Sequence, residues 1–341
     1  MTHGVRPPIA PMLARLADEI PLRDHLYEPK WDGFRAIAFR DGDDVDIRSR
    51  HDRQLARYFP ELVDAFRALE ETSFAIDGEI VVIGPDRFDF ASVMLRLHPA
   101  ESRVRRLARE TPATFIAFDA IAVGADDLRG APFVERRAHL ERLLGRADPR
   151  IVLTPISDDP RAAREWLHSR PGRGVDGVVA KPRTLLYRSG VRAMTKVKRT
   201  RTAECVVAGM RIFEDSVASL VLGLYDDTGA LRHVGVVIAF PERERRTLFA
   251  ELAPLATRLR GHPWEHGFGL GHSPLGRLGG AAGRWDPETM ELDWVPLRPE
   301  RVAEVRYDIV DGDRLRHPAR FVRWRPDRDP RSCTLEQLGA S

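Results

Sequence analysis

Glu28-Pro29-Lys30-Trp31-Asp32-Gly33-Phe34-Arg35 decides how the rest of this chain is read. Residues two apart on an extended chain share a face, so Glu28, Lys30 and Asp32 project together as an amine between two carboxylates. A salt-bridged strand end would carry the same residues, and Asp32-Gly33 alone is an ordinary hairpin signal. What separates a site from a turn is whether the same device recurs.

It does recur. Ala75-Ile76-Asp77-Gly78-Glu79-Ile80-Val81-Val82 sets Asp77 and Glu79 on one face of an otherwise apolar strand, where two carboxylates need partners or a metal. Val175-Asp176-Gly177-Val178-Val179-Ala180-Lys181 repeats the Asp-Gly pair, with Asp176 a candidate metal ligand and Lys181 a candidate phosphate contact. Thr195-Lys196-Val197-Lys198 places two ammonium groups on one strand face, which is unfavourable unless an anion such as a triphosphate joins them.

The basic residues sharpen this pattern. Of 54, only four are lysine, namely Lys30, Lys181, Lys196 and Lys198, and arginine supplies every other positive charge. A guanidinium stays protonated and is a poor nucleophile, whereas an amine can lose its proton when its surroundings lower its pKa. Where arginine is used wherever it can be, the surviving lysines mark places that need an amine.

These segments follow one another as Lys-x-Asp-Gly, Ser49-Arg50, Asp-Gly-Glu, Phe118-Asp119, Asp-Gly-Val-Val-Ala-Lys and Lys-x-Lys. In that order they resemble the covalent nucleotidyltransferases, the superfamily of DNA ligases, RNA ligases and capping enzymes. With Pro-Pro-Ile-Ala-Pro-Met upstream and Phe321-Val322-Arg323-Trp324-Arg325-Pro326-Asp327-Arg328 near the end, nearly the whole chain is similar to the small bacterial ATP-dependent DNA ligases of the ligase C type. The resemblance implies ATP and Mg²⁺ (or Mn²⁺) as cofactors, nicked duplex DNA as partner, and an AMP carried covalently on Lys30. It implies Glu28 near the adenine amine, Phe118 stacked on adenine, and Arg35 and Arg50 on the nucleotide or the nick phosphate. Glu79 resembles the ribose or metal ligand and Asp176 the second metal-associated carboxylate. Arg192, Lys196 and Lys198 would contact phosphates, and Arg325 and Asp327 would orient pyrophosphate during self-adenylation. Three positions depart from the family pattern: Asp176 stands for a usual Glu, Met194 for an aromatic residue, and Arg328 for a terminal lysine. An RNA ligase or guanylyltransferase would share Lys30 and its phosphate face, and a non-catalytic nucleic-acid binder with a decayed site is the reading from another class.

Outward from these motifs, apolar alternation predicts strands at 26–30, 34–40, 45–49, 74–83, 113–123, 175–181 and 194–198. Helical spacing predicts helices at 53–70, 133–145 and 161–169, so the first part is α+β, an adenylation domain with an ATP-grasp-like mixed sheet over 1–200. From Ala203 onward the chain turns to short apolar strands, a helix near 242–258, then Trp294–Leu297 and Val302–Val310. That is the pattern of a small β-barrel of the OB kind, over 201–341, with 261–287 read as a long loop. In the family's terms the barrel closes on the nucleotide for adenylation and swings away for DNA joining, on a hinge near 199–204.

Composition bounds the rest. The net charge of +3 gives no global nucleic-acid footprint, but arginines crowd 298–331 and also Arg103, Arg105, Arg106 and Arg109, the latter equally readable as a solvated helix face. There is no run of 18 apolar residues and no signal-peptide layout, which excludes a membrane partner from the reading and points to a cytoplasmic protein, expected to be a monomer. Cys205 and Cys333 lack metal or disulfide spacing. Because Lys30 arrives so early, no separate N-terminal DNA-binding domain is expected, and the two domains together must grip DNA.

Overall fold

The computed structural model describes residues 4–83, 90–168, 174–213, 216–238, 240–266 and 294–339. The chain divides into two compact units, Met1–Arg199 and Thr200–Ser341.

The first unit holds two sheets. One is ordered β1-β10-β9-β2, from β1 (Leu13–Ala17), β2 (His25–Trp31), β9 (Val175–Pro182) and β10 (Arg192–Lys198), with β1 parallel to β10 and the other pairs antiparallel. The other is ordered β4-β3-β5-β6-β7, from β3 (Phe34–Asp41), β4 (Asp44–Ser49), β5 (Ser73–Val82), β6 (Ala113–Val123) and β7 (Asp126–Asp127), with β8 (Ile151–Leu153) parallel to β6. The second sheet is buried on both faces. Ala36, Ala38, Phe74, Ile76 and Phe115 pack toward α1 (Pro60–Arg67), while Ile37, Phe39, Ala75 and Ile121 pack with Met12, just before β1, and with Met194 and Val179 of the first sheet. Period-two alternation therefore sorts β3 and β5 between two cores, while pairing irregularities along β6 switch its parity, so that Phe115 and Ile121 face opposite ways.

The helix expected over 53–70 is shorter. A proline cannot donate a backbone hydrogen bond in a helix interior, so Pro60 starts α1; before it Leu55 N–H donates to Ile47 O at 2.7 Å and a 3₁₀ turn spans Ala56–Tyr58. Two helices, α2 (Phe90–Leu95) and α3 (Glu101–Glu110), precede β6. On α3 the Arg105–Glu101 and Arg106–Glu110 pairs, at 2.5 and 3.6 Å, are the i,i+4 pairs of an exposed helix face. α4 (Phe133–Leu144) and α5 (Pro160–His168) complete the unit.

The second unit is a five-stranded sheet ordered β13-β12-β11-β14-β17, from β11 (Arg201–Phe213), β12 (Ser216–Tyr225), β13 (Leu231–Val237), β14 (Trp294–Tyr307) and β17 (Arg320–Trp324). A bridge from Val237 to Ala319 joins the two edges into an OB-type barrel. β15 (Val310–Asp311) and β16 (Arg314–Leu315) form a small hairpin, and α6 (Glu242–Leu252) packs through Leu248 and Leu252. The two strands expected at 294–297 and 302–310 are one strand, with Pro296 and Pro299 tolerated beside a pairing irregularity opposite Val207 and Gly209. The expected loop at 261–287 starts as turns over 261–266, and these turns are not all at the surface. His262 and Trp264 are buried, and Trp264 Nε1 donates to Leu231 O at 2.8 Å; residues 267–293 lie outside the described residues. Among the described residues no helix is long and apolar enough to cross a membrane.

Candidate active site

Strand parity builds the site. On β2 Tyr27 packs with Val178, Ala180 and Ala163 of α5, which turns Glu28 and Lys30 to the opposite face. On β5 Ala75 enters the core between the sheets, so Asp77 and Glu79 point the same way; on β10 Met194 does so, and Lys196 and Lys198 follow. The Asp-Gly pairs on β5 and β9 are not turns. A side chain at Gly78 would collide with the Phe115 ring and one at Gly177 with Val197 O, while one at Gly33 would strike Ile80 O. These glycines let backbones approach closely beside the carboxylates.

Glu28, Lys30, Arg35, Arg50, Glu79, Phe118, Arg192 and Lys196 line one cavity, together with Lys181 and Met194. Asp176 joins it through Lys30, whose Nζ donates to Oδ1 at 2.6 Å and to Oδ2 at 2.8 Å; Lys198 Nζ lies 3.8 Å from Oδ2. Burial pulls the Lys30 amine down, but the Asp176 charge and hydrogen bond outweigh it and hold the amine above its ordinary value. Asp176 thus holds Lys30 in its protonated form. Burial, with Lys30 and Lys198 nearby, pushes the Lys196 amine down.

Glu28 is buried, and its Oε2 lies 2.8 Å from Lys181 Nζ. Lys181 also donates to Phe118 O at 3.1 Å, so this amine sits on Glu28 instead of facing a phosphate. Burial raises the Glu28 carboxyl, with Lys181 opposing, and among the described residues Glu28 Oε1 is a buried acceptor without a hydrogen bond. The Arg35 guanidinium sits over the Phe118 ring at 4.4 Å and is fixed by Asp77, Nε to Oδ1 at 2.6 Å and Nη2 to Oδ2 at 2.8 Å. Tyr187 Oη donates to the same Asp77 at 2.7 Å. Asp119 is held by Arg136 at 2.7 and 2.9 Å. No sequence signal pointed to Tyr187 or Arg136, whereas the lysine census did point to Lys181.

Glu79 accepts from Gly33 N–H at 3.1 Å, and burial raises its carboxyl to about 7. Its folded value thus exceeds the unfolded one. The native state holds the extra proton between the two values, so ionised Glu79 costs stability as pH rises toward 7, and above 7 the cost is complete. Glu79→Gln is therefore expected to stabilise the metal-free protein at pH 8 by about 1–3 kcal/mol and to do little at pH 4. Paired thermal melts check this, and an equal effect at both values contradicts it.

In the second unit Arg325 Nε and Nη2 donate to Asp327 at 2.9 and 2.7 Å, which draws the Asp327 carboxyl down to about 2.

Two family models match the chain: "ATP dependent DNA ligase domain" over residues 11–198 and "ATP dependent DNA ligase C terminal region" over 214–328. The chain is 52% identical to DNA ligase C2 of Mycolicibacterium smegmatis, covering 99% of this chain and 96% of that protein. It is 50% identical to DNA ligase C of Mycobacterium tuberculosis, with the same shares covered. A solved structure from a study of Lig E DNA ligases aligns over 93% of this chain and 99% of that one at TM-score 0.57 and 19% identity, a likeness of fold. With both models and two near-full-length relatives in agreement, the chain belongs to the ATP-dependent DNA ligase family.

Proposed function

We propose that this enzyme seals nicks in duplex DNA with ATP, through an AMP carried on Lys30. The observation that supports this best is that all four of its amines meet at one place. Lys30, Lys181 and Lys196 line the cavity, and Lys198 shares Asp176 with Lys30.

The four lysines divide three tasks. Lys181 orients Glu28, whose unpartnered Oε1 is left to accept from the 6-amino group of adenine, and Phe118 offers a ring for stacking. A 6-oxo purine would present an acceptor to that buried carboxylate, which disfavours guanine. Lys196 and Lys198, with Arg50 and Arg192 nearby, receive phosphate charge. Lys30 Nζ attacks the α-phosphorus. The P–N bond forms, the α–β P–O bond breaks, pyrophosphate leaves, and the amine proton passes to solvent. AMP then transfers to the 5′-phosphate of the nick, and the 3′-hydroxyl displaces it.

Among the described residues no cluster of three His, Cys, Asp or Glu could hold a metal by itself. Glu79 and Asp176 do fit a cation that takes one or two carboxylates and completes its shell with substrate phosphates, the habit of Mg²⁺. Bound there, such an ion supplies Lewis-acid stabilisation of phosphoryl charge. For its own part, Lys30 must be released from Asp176 before its amine can lose its proton. We propose further that it acts as a monomer, in cytoplasmic DNA repair.

Incubation with labelled ATP or GTP and Mg²⁺, followed by nicked DNA or nicked RNA, tests nucleotide and acceptor together. Label on the protein from ATP, and transfer to and sealing of DNA, are expected. Labelling by GTP or transfer only to RNA would select the rival nucleotidyltransferases, and no labelling at all would select the non-catalytic binder.

A further inference from the structure

Arg325 and Asp327 act on pyrophosphate in the reading above, and one carboxylate outside their motif contacts two of that motif's three arginines, Arg325 and Arg328. Glu204, on β11, contacts Arg325 Nη1 through Oε1, and its Oε2 lies 2.5 Å from Arg328 Nε as an ion-pair contact without hydrogen-bond alignment. Its main chain is clamped as well: Glu204 N–H donates to Gln337 Oε1 at 2.9 Å, and Gln337 Nε2 donates to Glu204 O at 3.1 Å. Asp327 takes Nε and Nη2 of Arg325, so Glu204 supplies the charged contact that fixes the remaining nitrogen. Glu304 stands farther off, 3.8 Å from Arg325, and is paired with Arg323 at 2.7 Å. A long side chain that must meet a small anion in one orientation gains from being held in that orientation beforehand. Arg328 stands where the family has a lysine, and it takes the oxygen of Glu204 that Arg325 leaves.

We propose that Glu204 is a positioning residue for self-adenylation, holding Arg325 and Arg328 in the geometry that receives pyrophosphate. This rests on the reading of Arg325 and Asp327 as the pyrophosphate-orienting pair. The consequence is selectivity for one step. Pyrophosphate takes part when Lys30 acquires AMP and is absent when a nick already bearing a 5′-adenylate is sealed.

The test uses the full-length protein in two assays: single-turnover formation of AMP-Lys30 from ATP and Mg²⁺, and sealing of a pre-adenylated nick without ATP. Glu204→Gln keeps the size and loses the charge. It is expected to slow adenylation about tenfold at saturating ATP, the scale of one charge-assisted contact, and to leave sealing within about twofold. Discharge of AMP-Lys30 by added pyrophosphate should slow in parallel, and Glu204→Asp should fall between Gln and wild type. Sealing also reports folding, so equal losses in both assays mean a structural role and overturn the inference. Arg325→Ala serves as the reference. If it too slows both steps, the pyrophosphate reading itself fails; if it is selective for adenylation and Glu204→Gln is not, only the inference about Glu204 fails.

Discussion

Lys30→Arg is expected to carry no AMP by intact mass after incubation with ATP and Mg²⁺, and to lose nick sealing by on the order of 10³-fold or more. The substitution is chosen because it keeps a positive charge where Asp176 holds one, 2.6 Å away, so the ion pair and the fold around it have a partner to retain. What it removes is nucleophilicity, since a guanidinium has no accessible neutral form. Lys30→Ala would remove the nucleophile and also leave the buried Asp176 with, among the described residues, Lys198 at 3.8 Å as its remaining ion-pair partner, which confuses chemistry with stability. Sealing of a pre-adenylated nick by Lys30→Arg should survive far better than sealing from ATP, because no P–N bond is needed. An AMP adduct on the Arg variant, mapped by peptide mass to Lys196 or Lys198, would remove Lys30 from its role. The chain has so few amines that such mapping is unambiguous.

Much of this site was legible in sequence because its chemistry is periodic. Glu28 with Lys30, Asp77 with Glu79, and Lys196 with Lys198 are each two apart, and a strand puts such pairs on one face whatever the rest of the fold does. Less legible was what each group touches. Asp77 and Glu79 read alike in sequence, yet Asp77 is fully buried on Arg35 and Tyr187 while Glu79 faces the cavity. Register across three strands decides that, and spacing within one strand cannot. Asp-Gly is ambiguous in the same way. It signals a hairpin locally, but Gly78 and Gly177 are glycines because a neighbouring chain lies where a Cβ would be. Lys181 looked like a phosphate ligand because it resembled the other lysines, but it is buried beside Glu28. In the barrel, apolar spacing gave the strands, while Trp264 hid in a Gly/Pro-rich stretch whose polarity masked its place in the core.

Arg136→Met is expected to destabilise the protein by about 3–5 kcal/mol, because it strands a buried carboxylate. Arg136 is wholly buried on α4 and donates twice to Asp119 and once each to Ala131 O and Leu185 O, at 2.7 and 2.6 Å. Methionine can fill the space of the aliphatic stem but satisfies none of these acceptors. The nearest remaining cation is Lys181, 4.0 Å from Asp119 Oδ2 and already paired with Glu28 at 2.8 Å. Drawn toward Asp119, Lys181 would leave Glu28 less well fixed, so ATP affinity should fall along with stability although Arg136 lines no part of the cavity. Adding Asp119→Asn to Arg136→Met removes the stranded charge and should recover part of the loss in both properties. Urea unfolding and ATP titration of the two variants measure this coupling. A single variant within about 1 kcal/mol of wild type, or a double variant less stable than the single, would show that the pair does not carry the load assigned to it.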